Sequence, residues 1–174
     1  MTSKTSFLIL MTLVGFYSYA QPVMEQSEEL EKRNGFKTIK LNSPVDSIPG
    51  VSFKKEFMEK NEFPAKLYTI KDNAFGMIGE VKVNSIEAKT YKDLIYEIIV
   101  TTDKDQRLMK GMEMALGKAT YNVRTRAYHW AAPSLSLTFI GNKNSITLIY
   151  KSYPVIKMMY ADRGKKIERI AEDF

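Results

Sequence analysis

The stretch "EVKVNSIEAKTYKDLIYEIIVTT", residues 80–102, decides the fold. In its first half Val81, Val83 and Ser85 fall on one side of an extended chain, because successive side chains in a strand point to opposite faces. Ile86 breaks that parity, as a β-bulge with one extra residue would. Lys92 and Asp93 suit a two-residue turn, which returns the chain antiparallel through residues 94–102. Around Ile98, Ile99 and Val100 the returning strand is apolar on both faces. Such a strand belongs in the centre of a sheet, with something packed on each side or one face at an interface.

Downstream, residues 103–116 read as a helix. Thr102 with Asp105 resembles a capping box, Leu108, Met112, Ala115 and Leu116 form one apolar stripe, and Gly117 is placed to end it. Strands are expected at 124–131, 134–140 and 145–151, with "GNKN" at 141–144 as the turn between the last two. Past Pro154 the chain reads as helix in pieces, interrupted by Gly164 and anchored by Ile156, Met159, Ile167 and Ile170.

Upstream, 66–71 reads as a strand, 53–61 as a short helix that also tolerates a strand reading, and 43–49 as one helical turn closed by Pro49 and Gly50. Residues 36–41 alternate as a first strand, while 21–34 form a polar, helix-permissive segment stopped by Asn34 and Gly35. The expected fold is therefore a single α+β domain over 35–174, a layered arrangement with an antiparallel sheet covered by helices. A helical segment followed by three strands occurs twice, near 44–60 and again from 103, which suggests two helix-plus-three-strand units. Residue identity between the halves is weak. A parallel sheet would need helices between successive strands, and the pattern lacks them.

Residues 1–20 have a different character. Lys4 precedes the apolar run "FLILMTLVGF" at 7–16, and "YSYA" brings small residues to the position before Gln21, the order of a cleaved secretory signal peptide. The run is about half the ~20 residues a membrane-spanning helix needs, so no transmembrane anchor is expected. Removing Lys4 lowers the formal charge from +6 to +5. The chain has no cysteine, which excludes disulfides, thiolate chemistry and a lipidated cysteine. Its densest basic run, "RGKKIER" at 163–169, is broken by Glu168 and reads as a solvated helical face, so no nucleic-acid partner is expected.

The signal ending in "YAQ", the opening "GFKTIKLNSPVDSIPG", the strand pair "VNSIEAKTYKDLIYEIIV", the helix ending in "ALG" and the "YHW" strand together resemble small exported proteins of uncharacterised function from Bacteroidetes, over residues 34–152. The helix-then-three-strands order also resembles the repeated unit of the secreted β-lactamase inhibitor protein and of small outer-membrane assembly lipoproteins. That resemblance implies a binding protein. The missing lipobox cysteine departs from the lipoproteins, and no motif specific to the inhibitor is present.

The search for chemistry is mostly negative. There is no G-x-S-x-G elbow, no phosphate-binding G-x-x-x-x-G-K-[ST] loop and no H-E-x-x-H helix, and one histidine cannot build a multi-histidine metal site. Methionines 109, 112 and 114 read as packing residues of the helix, with a soft-metal or docking surface as the alternative. Carboxylate pairs drawn from Glu80, Glu87 and Glu97 arise readily by chance among 20 acidic residues.

The remaining candidate is "NVRTRAYHWAAP", 122–133, which carries the only histidine and the only tryptophan. As a regular strand it points Arg124, Arg126, Tyr128 and Trp130 one way and His129 the other. Those four are the candidate binding residues if that face is open, and core and rim if a helix covers it. No catalytic residue, cofactor or metal site is assigned. The reading is a noncatalytic binding or interaction domain, periplasmic or secreted, whose partner is an envelope protein, a peptide or a glycan. A small envelope enzyme of unfamiliar class and a structural accessory of the cell envelope are the alternatives.

Overall fold

The computed structural model describes residues 27–173; the expected signal peptide and residues 21–26 lie outside them. Helix α1 (Glu28–Arg33) is followed by a tight hairpin, β1 (Gly35–Phe36) and β2 (Ile39–Lys40), a 3₁₀ turn at Val45–Ser47 and strands β3 (Val51–Glu59) and β4 (Phe63–Ile70). A second 3₁₀ turn, Asn73–Phe75, leads to β5 (Met77–Ile78), β6 (Val81–Tyr91), β7 (Leu94–Asp103) and helix α2 (Gln106–Leu116). Strands β8 (Thr120–Asn122), β9 (Ala127–Ala131), β10 (Leu135–Gly141) and β11 (Ser145–Ser152) precede helix α3 (Tyr153–Glu172). The protein is a mixed α+β fold. No helix among the described residues is long and apolar enough to cross a membrane.

The main sheet runs β3-β4-β6-β7-β11-β10-β9-β8, with β5 paired to β6 off this path. Every pairing is antiparallel. The sheet consists of two meanders, each entered from its outer edge and joined where their last strands, β7 and β11, pair. β7 is central, as its two apolar faces require. The β6–β7 turn is Lys92-Asp93, both with positive φ (50° and 62°), the backbone that matches strand twist in a two-residue hairpin.

Register aligns Phe53, Tyr68, Ala88, Ile98, Tyr150, Leu137 and Trp130 in one row across seven strands. This face is covered by Leu30 of α1, Phe36 and Ile39 of the small hairpin, Leu41, Val45, Ile48, Phe75 and Leu108 of α2, which complete the larger core. The opposite face carries the row Ser52, Thr69, Glu87, Ile99, Ile149, Thr138, His129 and Thr120. α3 covers only one end of that face, where Val155 and Met159 pack on Phe63, Ala65, Tyr91 and Tyr96.

Several sequence expectations are corrected. Residues 51–59 form an edge strand and not a helix, so the first of the two expected units lacks its helix. A bulge between Phe53 and Lys55 sends Phe53 against Tyr68 on the larger core face and Phe57 to the α3 side. The expected first strand at 36–41 is only a short hairpin, turned by Lys37 at φ 52°. Residues 27–34 are part of the folded body: Leu30 is buried, the Ser27 amide donates to the Ala131 carbonyl at 2.8 Å, and Glu31 accepts from the Ser134 amide at 3.0 Å. α2 begins at Gln106, because Asp105 and not Thr102 caps it by accepting from the Arg107 amide at 2.8 Å.

α3 runs unbroken through Gly164, and Ile167 and Ile170 are exposed, since the helix has passed the end of the sheet. The bulge anticipated near Ile86 is present: register shifts between Val83 and Ser85, which returns Ile86 and Ala88 to the covered face.

The difference between the central sheet and the distal part of α3 is measurable. Leu137→Ala, which opens a cavity beside Trp130 and Tyr150, should lower the urea unfolding free energy by about 2–5 kcal/mol. Ile167→Ala should stay within about 0.5 kcal/mol of the parent.

Candidate functional site

Of the four residues expected on one face, Tyr128 and Trp130 share it, opposite Phe139 and Leu137, while Arg124 and Arg126 lie outside the strand. Trp130 is buried, and its indole Nε1 donates to the Gly117 carbonyl at 2.8 Å. Tyr128 is partly exposed and packs against Tyr121 and edge-on against Phe139. Arg124 and Arg126 precede β9 in a turn, where Asn122 Oδ1 accepts from the Arg124 amide at 3.0 Å and Arg126 has φ 52°. The positive φ takes Arg126 out of extended geometry, so strand alternation no longer applies to it. His129 lies on the opposite face, with Nδ1 3.0 Å from Thr138 Oγ1 and Nε2 3.4 Å from Thr125 Oγ1. Burial holds its pKa below the usual imidazole value.

The candidate carboxylates are dispersed as well. Glu80 pairs with Arg107 at 2.8 Å and Glu87 with Lys54 at 2.6 Å. Glu97, almost fully buried, holds Lys89 at 2.9 Å and Lys151 at 3.0 Å. Tyr96 donates to Glu59 Oε2 at 2.7 Å, and Lys89 reaches the same oxygen at 3.2 Å. A bulge places Tyr96 and Glu97 together here: register shifts between Lys89 and Thr90, so β7 carries an extra residue at this point.

Burial pushes the Glu59 carboxyl up, but the Tyr96 hydrogen bond and Lys89 outweigh it and hold the pKa below the ordinary value. Burial and the Glu59 carboxylate both raise the Tyr96 phenol, which stays a neutral donor. With two lysines matching two carboxylates, this network closes on itself beside α3 and links β3, β6, β7 and β11.

A groove with room for a ligand lies on the other face, beside α2. Leu108 alone is buried on that helix; Met112 and Leu116 are half-buried and Ala115 is exposed. The stripe expected to pack flush instead walls a groove of about 520 Å³, closed on the far side by Phe36 and Ile78 and floored by Leu148 and Tyr150. Small residues keep it open. A Cβ added at Gly111, on α2 facing this space, would meet nothing within 4 Å, and the same holds at Gly79 across the groove.

At the floor, Tyr150 is 8% exposed, and its hydroxyl makes no hydrogen bond among the described residues. Burial raises its pKa, so it remains an O–H donor at neutral pH. Arg33, Lys37 and Arg107 surround the mouth. An apolar trough with one unengaged donor in its floor suits an apolar body carrying an acceptor. Sequence reasoning missed the groove because an amphipathic stripe reads as buried; Gly111 within it is the signal that was present.

Two measurements test this description. Gly111→Ala should raise stability by up to about 1 kcal/mol, since alanine favours the helix and its methyl enters open space. The Glu59 carboxyl titrates below its unfolded value of 4.5, so its stabilisation is full above that pH and is lost as the pH falls through the folded value. Glu59→Gln should therefore flatten the acid limb of an unfolding-midpoint-versus-pH curve. No family model, curated protein or solved structure matches this chain.

Proposed function

We propose that this chain is a noncatalytic binding domain, exported to the periplasm or beyond, whose α2 groove holds a small amphiphilic molecule. The observation that carries this reading is the Tyr150 hydroxyl, unengaged at the bottom of an otherwise apolar trough. The hydroxyl is free to donate to an acceptor that enters the groove, a bond worth about 0.5–1.5 kcal/mol net. The volume of about 520 Å³ falls within the range of small-molecule sites, about 300–1,000 Å³. Export rests on the order of residues in 1–20. The noncatalytic reading rests on the self-neutralised state of the ionisable cluster and on the distance in the fold between His129 and the groove.

Trp130 supplies the readout, because its indole is bonded to the residue that caps α2. Titration with decan-1-ol should change Trp130 emission saturably. Tyr150→Phe should weaken that response by about fivefold, the worth of one hydrogen bond. Gly111→Leu, whose side chain fills the groove, should abolish it with the unfolding midpoint retained. An unchanged response in Gly111→Leu would place the alkanol elsewhere and refute the assignment.

A further inference from the structure

The three cations that line the α2 groove, Arg33, Lys37 and Arg107, are not equivalent. Arg107 is consumed: Nε and one terminal nitrogen go to Asp105, at 3.1 and 2.8 Å, and the other terminal nitrogen goes to Glu80 at 2.8 Å. Lys37 Nζ donates to the Ala74 carbonyl at 2.7 Å, outside the groove lining. Arg33 gives Nε to Glu29 at 2.9 Å, one turn back on α1, and its two terminal nitrogens make no hydrogen bond among the described residues. Glu80 is the only carboxylate among the lining residues, and Arg107 holds it.

The groove partner of Arg33 is a second donor. Arg33 is the one charge that acts on the Tyr150 hydroxyl, which burial keeps protonated. A guanidinium has no acceptor to offer, and the phenol is left as a donor beside it. Both therefore need the same thing, an acceptor that the two can reach together. The remaining wall and floor are apolar, from Phe36, Ile78, Leu108, Met112, Leu116 and Leu148.

From this juxtaposition we infer that the α2 groove takes an aliphatic monocarboxylate, whose carboxylate accepts from the Tyr150 hydroxyl and the Arg33 guanidinium while its chain lies along the apolar wall. The assignment rests on the groove being a ligand site and adds the charge and chemical class of what enters it. A carboxylate presents two acceptor oxygens and one charge, which matches two donors and one free cation. A phosphate head brings close to a second charge, for which no free cation is left. A peptide C-terminus brings amides that the apolar wall leaves without partners, at a desolvation cost. The Arg33–Glu29 pair does not oppose this role, because both members are about half exposed and such pairs contribute little.

The test is titration of the full mature chain with decanoate and with decan-1-ol, both read by Trp130 emission. Decanoate should saturate the response at a roughly tenfold or more lower concentration, although it is the better hydrated of the two, because charge-assisted hydrogen bonds are about twice as strong as neutral ones. Arg33→Gln should remove that advantage, leave the decan-1-ol response unchanged and keep the unfolding midpoint, a split that a purely structural role for Arg33 would not produce. Glu29→Gln, which frees Nε, should bind decanoate at least as tightly as the parent. Decan-1-ol binding as tightly as decanoate, parent-like decanoate binding by Arg33→Gln, or acetyl-leucyl-leucine matching decanoate would each overturn the carboxylate assignment and leave the groove reading in place. A saturable response to neither decanoate nor decan-1-ol would remove the groove reading, and this assignment with it.

Discussion

The pairing of β7 with β11 is the constraint on which the rest of the structure depends. Each meander has one strand that must be covered on its inner edge, and these two strands satisfy each other over seven residue pairs from Ser145–Asp103 to Lys151–Glu97. The pairing brings Ile98, Val100, Leu148 and Tyr150 to one face and Ile99 and Ile149 to the other. Because both strands lie in the interior of the sheet, their hydrogen-bonding edges are removed from solvent, and the exposed edges fall to β3 and the three-residue β8. β3 carries Lys54, Lys55 and a bulge, features that discourage another strand from adding to it.

Bulges divide the labour between the two faces. The extra residue at Asn84 keeps Val81 and Val83 on the same side as Ile86 and Ala88, preserving a continuous core under α1 and α2. The extra residue beside Tyr96 sends both Tyr96 and Glu97 toward α3, where the aromatic ring joins a small core and the carboxylate meets two lysines. Without it, strict alternation would put one of the two into the larger core, an outcome that for Glu97 would bury a charge without a partner. Removing one member of that pair network leaves its partner charge uncompensated, so the cluster is fixed by mutual need more than by net gain.

The helices are held with unequal firmness, and the proposed binding site follows from that inequality. α2 buries only Leu108 fully, packs Met109, Met112 and Leu116 partly against the core, and is clasped at its far end by Trp130 through the Gly117 carbonyl, so its side toward Phe36 and Ile78 is left as a groove. α3 is fastened in its first half by Val155, Met159, the bond between Lys60 and the Tyr160 hydroxyl and the Tyr91–Asp162 hydrogen bond, then runs on beyond the last of the sheet. Its start is secured by Ser152, which accepts from the Val155 amide and donates to the Asn42 side chain.

The local pattern of the sequence determined the hairpin at 81–103, the central position of β7, the strands at 135–141 and 145–152, and the stop of α2 at Gly117. Those elements are governed by neighbouring residues alone: alternation, turn dihedrals and a C-cap. Tertiary structure decided the rest. Phe53 and Phe57 have a spacing that fits a helix, and only pairing with β4 makes them a strand. Ile167 and Ile170 continue the apolar stripe of α3, and only the finite extent of the sheet leaves them in solvent. Trp130 and Arg126 have the same parity in sequence, but a turn that ends at Arg126 separates them, so the charged end never reaches the buried aromatic face. The groove under α2 was the least legible feature, because a stripe of Leu108, Met112 and Ala115 states that a helix has an apolar side, and says nothing of how closely the sheet beneath will approach it.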